Sequence, residues 1–526
     1  MAKLRIVRSP EAGQRRREVE RHLGALGDAP SVGRLCEALA GLGPVFASFG
    51  RYLGSRPDLL PVADCLDLAA LPDVGEPSPA FDVLEKIAAE LGSPVSVLFA
   101  SFEEEPFQVR LLHQSHRAWL DTGEEVVVRV VHPGIEERIG LDAGLLSLLR
   151  PVLPVRGLPL EEVAADFRRA LADATDLVLE AEALENLGRS AGDADLPAVP
   201  EVHRRLTSTG VLTVRRLSGE PLPAFEEAGE AEAYDLARRV HLFWLRQALT
   251  SRKLALEADL HLLSAGYGSR LGCAGGTFAD VSGASGTNLW EYLRATAAHE
   301  PERIFACLVR ELVAPPGGEA RGDLRKRLRQ VVPFGEDTQS ASRDHLIEHL
   351  MTHWRLLRQC GYRPQPHLLD FYRGLFWAAR TGWRLAPARD PLRDPLRDAM
   401  DDLQWLDGWS QVQQFTDPRR MAEMAEGYLA TLAVLPQQIE QVLDRLSKDG
   451  GLSPVRSAPA VRRQRRRRNA STAVIALGLA MAGTALVTVR LATLPGGPGE
   501  LAEKAGALVF LLLGALLLWI AGSRRA

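Results

Sequence analysis

The sequence predicts an α+β fold that ends in a transmembrane helical hairpin. Three observations carry that expectation. Two short alternating runs flank Asp121-Thr122-Gly123, the pattern of a β-hairpin. Residues 14–100 show apolar spacing near 3.6, and the chain from Ala233 onward reads as mostly helical. Two C-terminal stretches, Ala470–Val489 and Ala505–Ser523, hold no charged residue.

The hairpin lies within Glu105–Ile135. Asp121 and Gly123 suit a tight turn. The run Val126-Val127-Val128-Arg129-Val130-Val131 is β-branched on both faces, as a covered strand should be. A lone cation in such a strand needs an anionic partner, because burying an unpaired charge is costly. For Arg129 that partner is a nucleotide phosphate or a helix carboxylate.

The chain of 526 residues is long enough for two or three structural units. A formal charge of −4 argues against binding nucleic acid through phosphate contacts. Five scattered cysteines without a CxxC pair point to a reducing compartment, with no disulfide frame or zinc site. The N-terminus lacks an apolar signal core, so the large domain is expected in the cytoplasm.

Each charge-free stretch is long enough to cross a bilayer, which takes roughly 17 to 25 residues. Pro495-Gly496-Gly497-Pro498 suits a turn between them. Arg462, Arg463 and Arg465 to Arg468 precede the first stretch, and Arg524 and Arg525 follow the second. By the positive-inside rule both ends are cytoplasmic. The arginines are suited to anionic lipid head groups, at about 1 kcal/mol per cation. Gly450–Ala460 reads as a flexible tether.

Several strings, in order, resemble the UbiB/AarF family of atypical kinase-like proteins. Residues 105–135 are similar to its EPIAAASIAQVHRA and VAVKVQRPGI strings. Leu42–Pro61, LGPVFASFGRYLGSRPDLLP, resembles LGPxFIKLGQxLSTRPDLLP, with Ser48 and Arg51 in place of the family's KxGQ lysine and glutamine. Ala174–Ala183 resembles ELDFxxEAxN, and Val199-Pro200-Glu201-Val202 with Val211–Gly219 resembles the strand and hinge between two lobes. HADPHPGN reads Glu257-Ala258-Asp259-Leu260-His261-Leu262-Leu263-Ser264 here, and DFG reads Asp280-Val281-Ser282.

The resemblance implies a two-lobed protein-kinase-like α+β fold with an N-terminal helical extension. The expected divisions are an extension over 1–100, a small lobe over 101–220, and a helical large lobe over 221–447. A basic tether over 448–469 and two membrane helices over 470–523 complete the chain. The extension is expected to fold over the cleft.

Phosphoryl transfer needs a cation on the phosphates, Mg²⁺ held by Asp and Asn, and an Asp near the attacking hydroxyl. By resemblance Asp259 is the catalytic carboxylate, Asp280 the Mg²⁺ ligand, and Arg129, Glu180, Ser264 and Asp280 the ATP-site residues. Glu180 is expected to pair with Arg129, with Glu182 and Glu185 as close rivals. Asp259 and Asp280 are expected on two loops facing one cleft, and Gly272-Cys273-Ala274-Gly275-Gly276 reads as a hairpin turn.

Against this stand Arg129 for lysine, which is not a conservative change, Ser264 for asparagine, and Gln108-Val109-Arg110-Leu111 for the family's small-residue loop. The expectation is a divergent atypical kinase or pseudokinase at the inner (cytoplasmic) membrane. ATP and Mg²⁺ are its implied cofactors, with binding weakened or lost. It would support ubiquinone or other isoprenoid-lipid metabolism, with membrane lipids or a membrane biosynthetic complex as partners. An active ATPase or small-molecule kinase and a non-catalytic membrane scaffold are the alternatives.

Overall fold

A computed structural model describes residues 10–27, 30–155, 158–190, 197–222, 230–247, 253–265, 268–281, 283–298, 300–313, 318–331 and 346–386. The tether and the membrane hairpin lie outside these residues, as do the RDPL-RDPL-RDAM repeat that the sequence holds over Arg389–Asp402 and the amphipathic helix that its pattern predicts over Gln437–Leu446. Among the described residues no helix is long and apolar enough to cross a membrane.

Six helices come first: α1 (Pro10–Gly24), α2 (Val32–Gly41), α3 (Pro44–Leu53), α4 (Val62–Ala69), α5 (Ala80–Leu91) and α6 (Val95–Leu98). Local chemistry sets their ends. Ser31 caps α2 by accepting from the Arg34 amide, Pro44 opens α3, and Gly92 closes α5 in the left-handed region.

A five-stranded sheet follows, from β1 (Ser101–Phe102), β2 (Gln108–Val109), β3 (His113–Trp119), β4 (Glu125–Val131) and β5 (Val211–Arg215). The path runs β1-β3-β4-β5, with β2 beside β3, and every pairing is antiparallel. β3 and β4 meet around Asp121-Thr122-Gly123 as the sequence predicts, with Gly123 at φ 82°. Between β4 and β5 lie α7 (Ile135–Asp142), α8 (Leu160–Ala174) and α9 (Leu177–Ser190).

Strand parity explains the double-sided burial of β4. Val126, Val128 and Val130 pack with Val83 and Ile87 of α5. Val127 and Val131 face Leu177, Ala181 and Leu184 of α9. Arg129 shares this second face by parity, so its guanidinium is directed at α9.

The rest of the described chain holds β6 (Glu220–Pro221), α10 (Glu230–Arg246), the paired strands β7 (Lys253–Ala265) and β8 (Gly268–Asp280), and α11 (Gly283–Ala297) through α12 (Pro301–Arg310), α13 (Gly318–Gln330), α14 (Leu346–Gln359) and α15 (Pro366–Leu385). β6, β7 and β8 form a separate three-stranded sheet. The sequence pattern opening at Tyr362–His367 predicts an amphipathic helix through Ala379, whereas every residue of α15 from Leu368 to Ala379 is buried. Helices and the β7–β8 pair enclose this stretch, while Arg380 and Arg384 beyond it are less buried.

The N-terminal helices share a core with this helical part. Leu39, Phe46, Phe49 and Leu53 join Phe167, Trp244, Phe371 and Phe376 in one cluster. The segment after α3 is pinned by charge as well. Arg56 pairs with Asp58, both nearly fully buried, and donates to the Tyr52 hydroxyl at 3.1 Å. From α14, Arg355 donates to the Pro57 carbonyl (2.9 Å); from α15, Arg373 donates to Ser55 Oγ (3.0 Å).

Candidate functional site

A cleft of about 830 Å³ lies between the five-stranded sheet and the β7–β8 pair. Strand alternation supplies its charged floor. In β7, Leu254, Leu260 and Leu262 are buried, while Glu257, Asp259 and His261 take the opposite parity. Glu257 and Asp259 line the cleft.

This strand corrects the expectation of a loop over Glu257–Ser264. Without the two prolines and the glycine, nothing interrupts an alternating leucine pattern, and the segment pairs with β8 throughout. The predicted hairpin turn over Gly272–Gly276 is also replaced, because these residues lie inside β8. Gly275 (φ 157°) and Gly276 (φ 147°) mark an irregularity in the pairing near Asp259.

Asp259 and Asp280 do not face one cleft. Asp259 is in register with Gly275, whereas Asp280 is in register with Lys253 at the other end of β7. That offset along β8 is roughly 17 Å at the usual rise per residue. Asp280 is 67% exposed, bonds Lys253 Nζ at 2.7 Å and does not line the cleft. Ser264 sits towards the Ala265–Gly268 end of the pair. Asp280, Asp259 and Ser264 are thus strung along the hairpin. Among the described residues no group of three or more His, Cys, Asp or Glu side chains is placed to hold a metal ion. The donors implied for Mg²⁺ do not fit that role in this arrangement.

Arg129 and Glu180 do meet. They form a buried ion pair between β4 and α9. The same Glu180 oxygen accepts the Gly276 amide at 2.7 Å. A Cβ on Gly275 would fall on Glu180 Oε1 and the Arg129 guanidinium, so this position needs glycine. Of the rival carboxylates, Glu182 lies 3.6 Å from Lys253 and Glu185 pairs with Arg204.

Arginines that the sequence reading did not assign to the site complete the cleft. Arg110 sits where the family carries small residues, and it joins Asp73 (3.1 Å) to Asp259 (2.8 Å). Arg51, at the glutamine position of KxGQ, pairs with Glu257, as does Arg380 from α15 at 3.3 Å. The fold-over of the extension therefore persists with new polar contacts. Trp377, Arg380 and Arg384 recur at helical spacing along α15, a signal that the sequence did carry.

Burial would raise the Asp259 carboxyl, but the His261 hydrogen bond and the charges of Arg110 and Arg129 outweigh it and hold it well below the usual range. Burial likewise opposes ionisation of Glu257, yet Arg51 and Arg380 hold it at about 2. Glu257 is 42% exposed, facing cleft solvent deep below the outer surface. The hydrogen bond to Asp259 raises His261, against the effect of burial. Burial, with Arg129 and Arg110 nearby, keeps His113 well below its ordinary value and neutral.

The sequence profile of the ABC1 atypical kinase-like domain matches residues 71–263, which hold Arg110, Arg129, Glu180 and Asp259. A protein named Probable protein kinase UbiB from Marinobacter nauticus is 35% identical over 236 residues, covering 43% of each chain. The protein of that name from Pseudomonas paraeruginosa is 35% identical over 236 residues, covering 43% of this chain and 44% of its own. Residues 71–263 are an ABC1 atypical kinase-like domain similar to that of UbiB proteins. The chain spans less than half the length of these curated relatives. A solved structure titled as the complex of Rv3197 and erythromycin from Mycobacterium tuberculosis covers 61% of this chain and 89% of its own at 18% identity, with a TM-score of 0.37. Within this UbiB-like domain, Arg129, Ser264 and Gln108–Leu111 differ from the strings that the resemblance implies, while Asp259, the carboxylate expected to be catalytic, is engaged by an arginine.

Proposed function

We propose that the chain is a divergent, membrane-anchored UbiB-like pseudokinase with weak or no phosphotransfer. Its role would be to support ubiquinone or other isoprenoid-lipid metabolism, through membrane lipids or a membrane biosynthetic complex. The observation that carries the pseudokinase reading is Arg110 on Asp259. A carboxylate held by a guanidinium is a poor acceptor for a hydroxyl proton, and Asp280 is spent on Lys253 outside the cleft. The family resemblance and the relatives' names support the pathway. The charge-free stretches 470–489 and 505–523, flanked by arginines, support the anchor.

Steady-state hydrolysis of Mg-ATP by the full chain in lipid nanodiscs tests this reading. The expected rate equals that of the Asp259→Asn variant. Turnover that Asp259→Asn abolishes overturns it. The size of the cleft favours a second reading, a working ATPase or small-molecule kinase, as do Arg129 Nε and His113 Nε2, which have no hydrogen-bond partner among the described residues. Turnover sensitive to Asp259→Asn would establish that reading instead.

A further inference from the structure

The segment joining α4 to α5 touches both sides of the cleft. At its start, the Ala69 carbonyl accepts from Arg380 (3.1 Å) and the Leu71 carbonyl from Arg51 (2.6 Å). Both arginines also hold Glu257 of β7. Further along, its polar contacts land on the β2–β3 connection or beside it. Asp73 accepts from Arg110 Nη1 and from the Leu111 amide, each at 3.1 Å. The Gly75 amide donates to the Val109 carbonyl at 3.4 Å, and a Cβ on Gly75 would collide with the Arg110 carbonyl. The Ser78 amide donates to Gln114 Oε1 at 2.7 Å.

His132 closes the arrangement. Its Nε2 lies 2.9 Å from the Arg110 carbonyl, which only accepts, so Nε2 carries the proton. Its Nδ1 then accepts from the Ser78 hydroxyl at 2.8 Å. Arg110 is therefore fixed by its carbonyl, by the amide that follows it and by one arm of its guanidinium. The other arm lies on Asp259.

We propose that residues 69–78 form an autoinhibitory strap in which Asp73 is the positioning residue that holds Arg110 on Asp259. The strap rests on the reading of the cleft as closed to phosphotransfer, and it names what keeps it closed. Releasing Asp73 frees Arg110 to swing away with the β2–β3 connection. Asp259 then faces an open cleft, and the guanidinium becomes available to an anionic ligand.

The test compares the full chain with Asp73→Asn, Asp73→Glu and Ser78→Ala, using Asp280→Asn as a control outside the cleft. Amide exchange across residues 106–114 and the affinity for trinitrophenyl-ATP are measured together. In Asp73→Asn, exchange at Leu111 and its neighbours is expected to speed at least tenfold and the affinity to rise at least fivefold. Asp73→Glu should restore wild-type behaviour, Ser78→Ala should give an intermediate response, and Asp280→Asn should change neither readout. Unchanged exchange, or faster exchange without a gain in affinity, overturns the strap. If Asp73→Asn unfolds the chain, Ser78→Ala decides by the same two readouts. Mg-ATP turnover by the wild type would overturn the closed-cleft reading instead, so the two failures are distinguishable.

Discussion

Arg129 and Glu180 form a buried ion pair whose geometry depends on a third element. Strand parity directs Arg129 at α9, and Glu180 Oε1 also takes the Gly276 amide of β8. Sheet, helix and hairpin thus meet at one carboxylate oxygen.

Gly275→Ala should therefore be costly. The substitution forces an L-residue to φ 157° and places a methyl group on both partners of the pair. A loss of roughly 2–3 kcal/mol is expected from backbone strain alone. Gly123→Ala, also at positive φ but in open space, should cost less. Denaturant midpoints for the two variants check the order.

Glu180→Gln should destabilise by about 3–5 kcal/mol, since it leaves Arg129 buried without a counter-charge. Replacing both partners with apolar residues, as in Arg129→Met with Glu180→Leu, should cost less than Glu180→Gln alone. Equilibrium unfolding of the single and double variants is the measurement.

Much of this was legible in the sequence, for reasons particular to each element. The β-branched run around Arg129 announced a covered strand, and a cation there required an acidic partner. That partner is Glu180. The loop that the motif implies over Glu257–Ser264 is absent because these residues alternate as a strand. Once that strand forms, Asp280 is carried to its far end and away from Asp259. Arg110 escaped notice as a functional residue because a bulky side chain in a small-residue loop signals obstruction. It does not reveal which carboxylate the guanidinium will reach.

The cleft charges give a pH dependence of definite sign. Glu257, at about 2 rather than 4.5, and Asp259, below its usual 3.8, contribute stability that is present above those usual values and lost as pH falls below them. His261, raised above 6.5, contributes stability that is full below 6.5 and lost as pH rises through its raised value. Thermal midpoints from about pH 3 to about pH 9 should fall on both sides of a plateau. Asp259→Asn should flatten the acid limb and remove the His261 contribution on the alkaline side.

Docking of the extension should hinge on Arg56. Its guanidinium is 3% exposed, pairs with Asp58 and lies 5.5 Å from the Trp354 ring centroid. Arg56→Met leaves Asp58 buried with a weaker partner, Arg358 at 3.8 Å. A loss of about 3 kcal/mol is expected, with faster proteolytic cleavage between α3 and α4 as the readout.

The central claim is that Asp259, the carboxylate proposed at the catalytic position, is neutralised from within the chain by Arg110. A double-mutant cycle on Arg110→Gln and Asp259→Asn tests it most directly, by equilibrium unfolding of the full chain. The account predicts a favourable coupling of about 1–3 kcal/mol between the two side chains. Additivity within about 0.3 kcal/mol would contradict it.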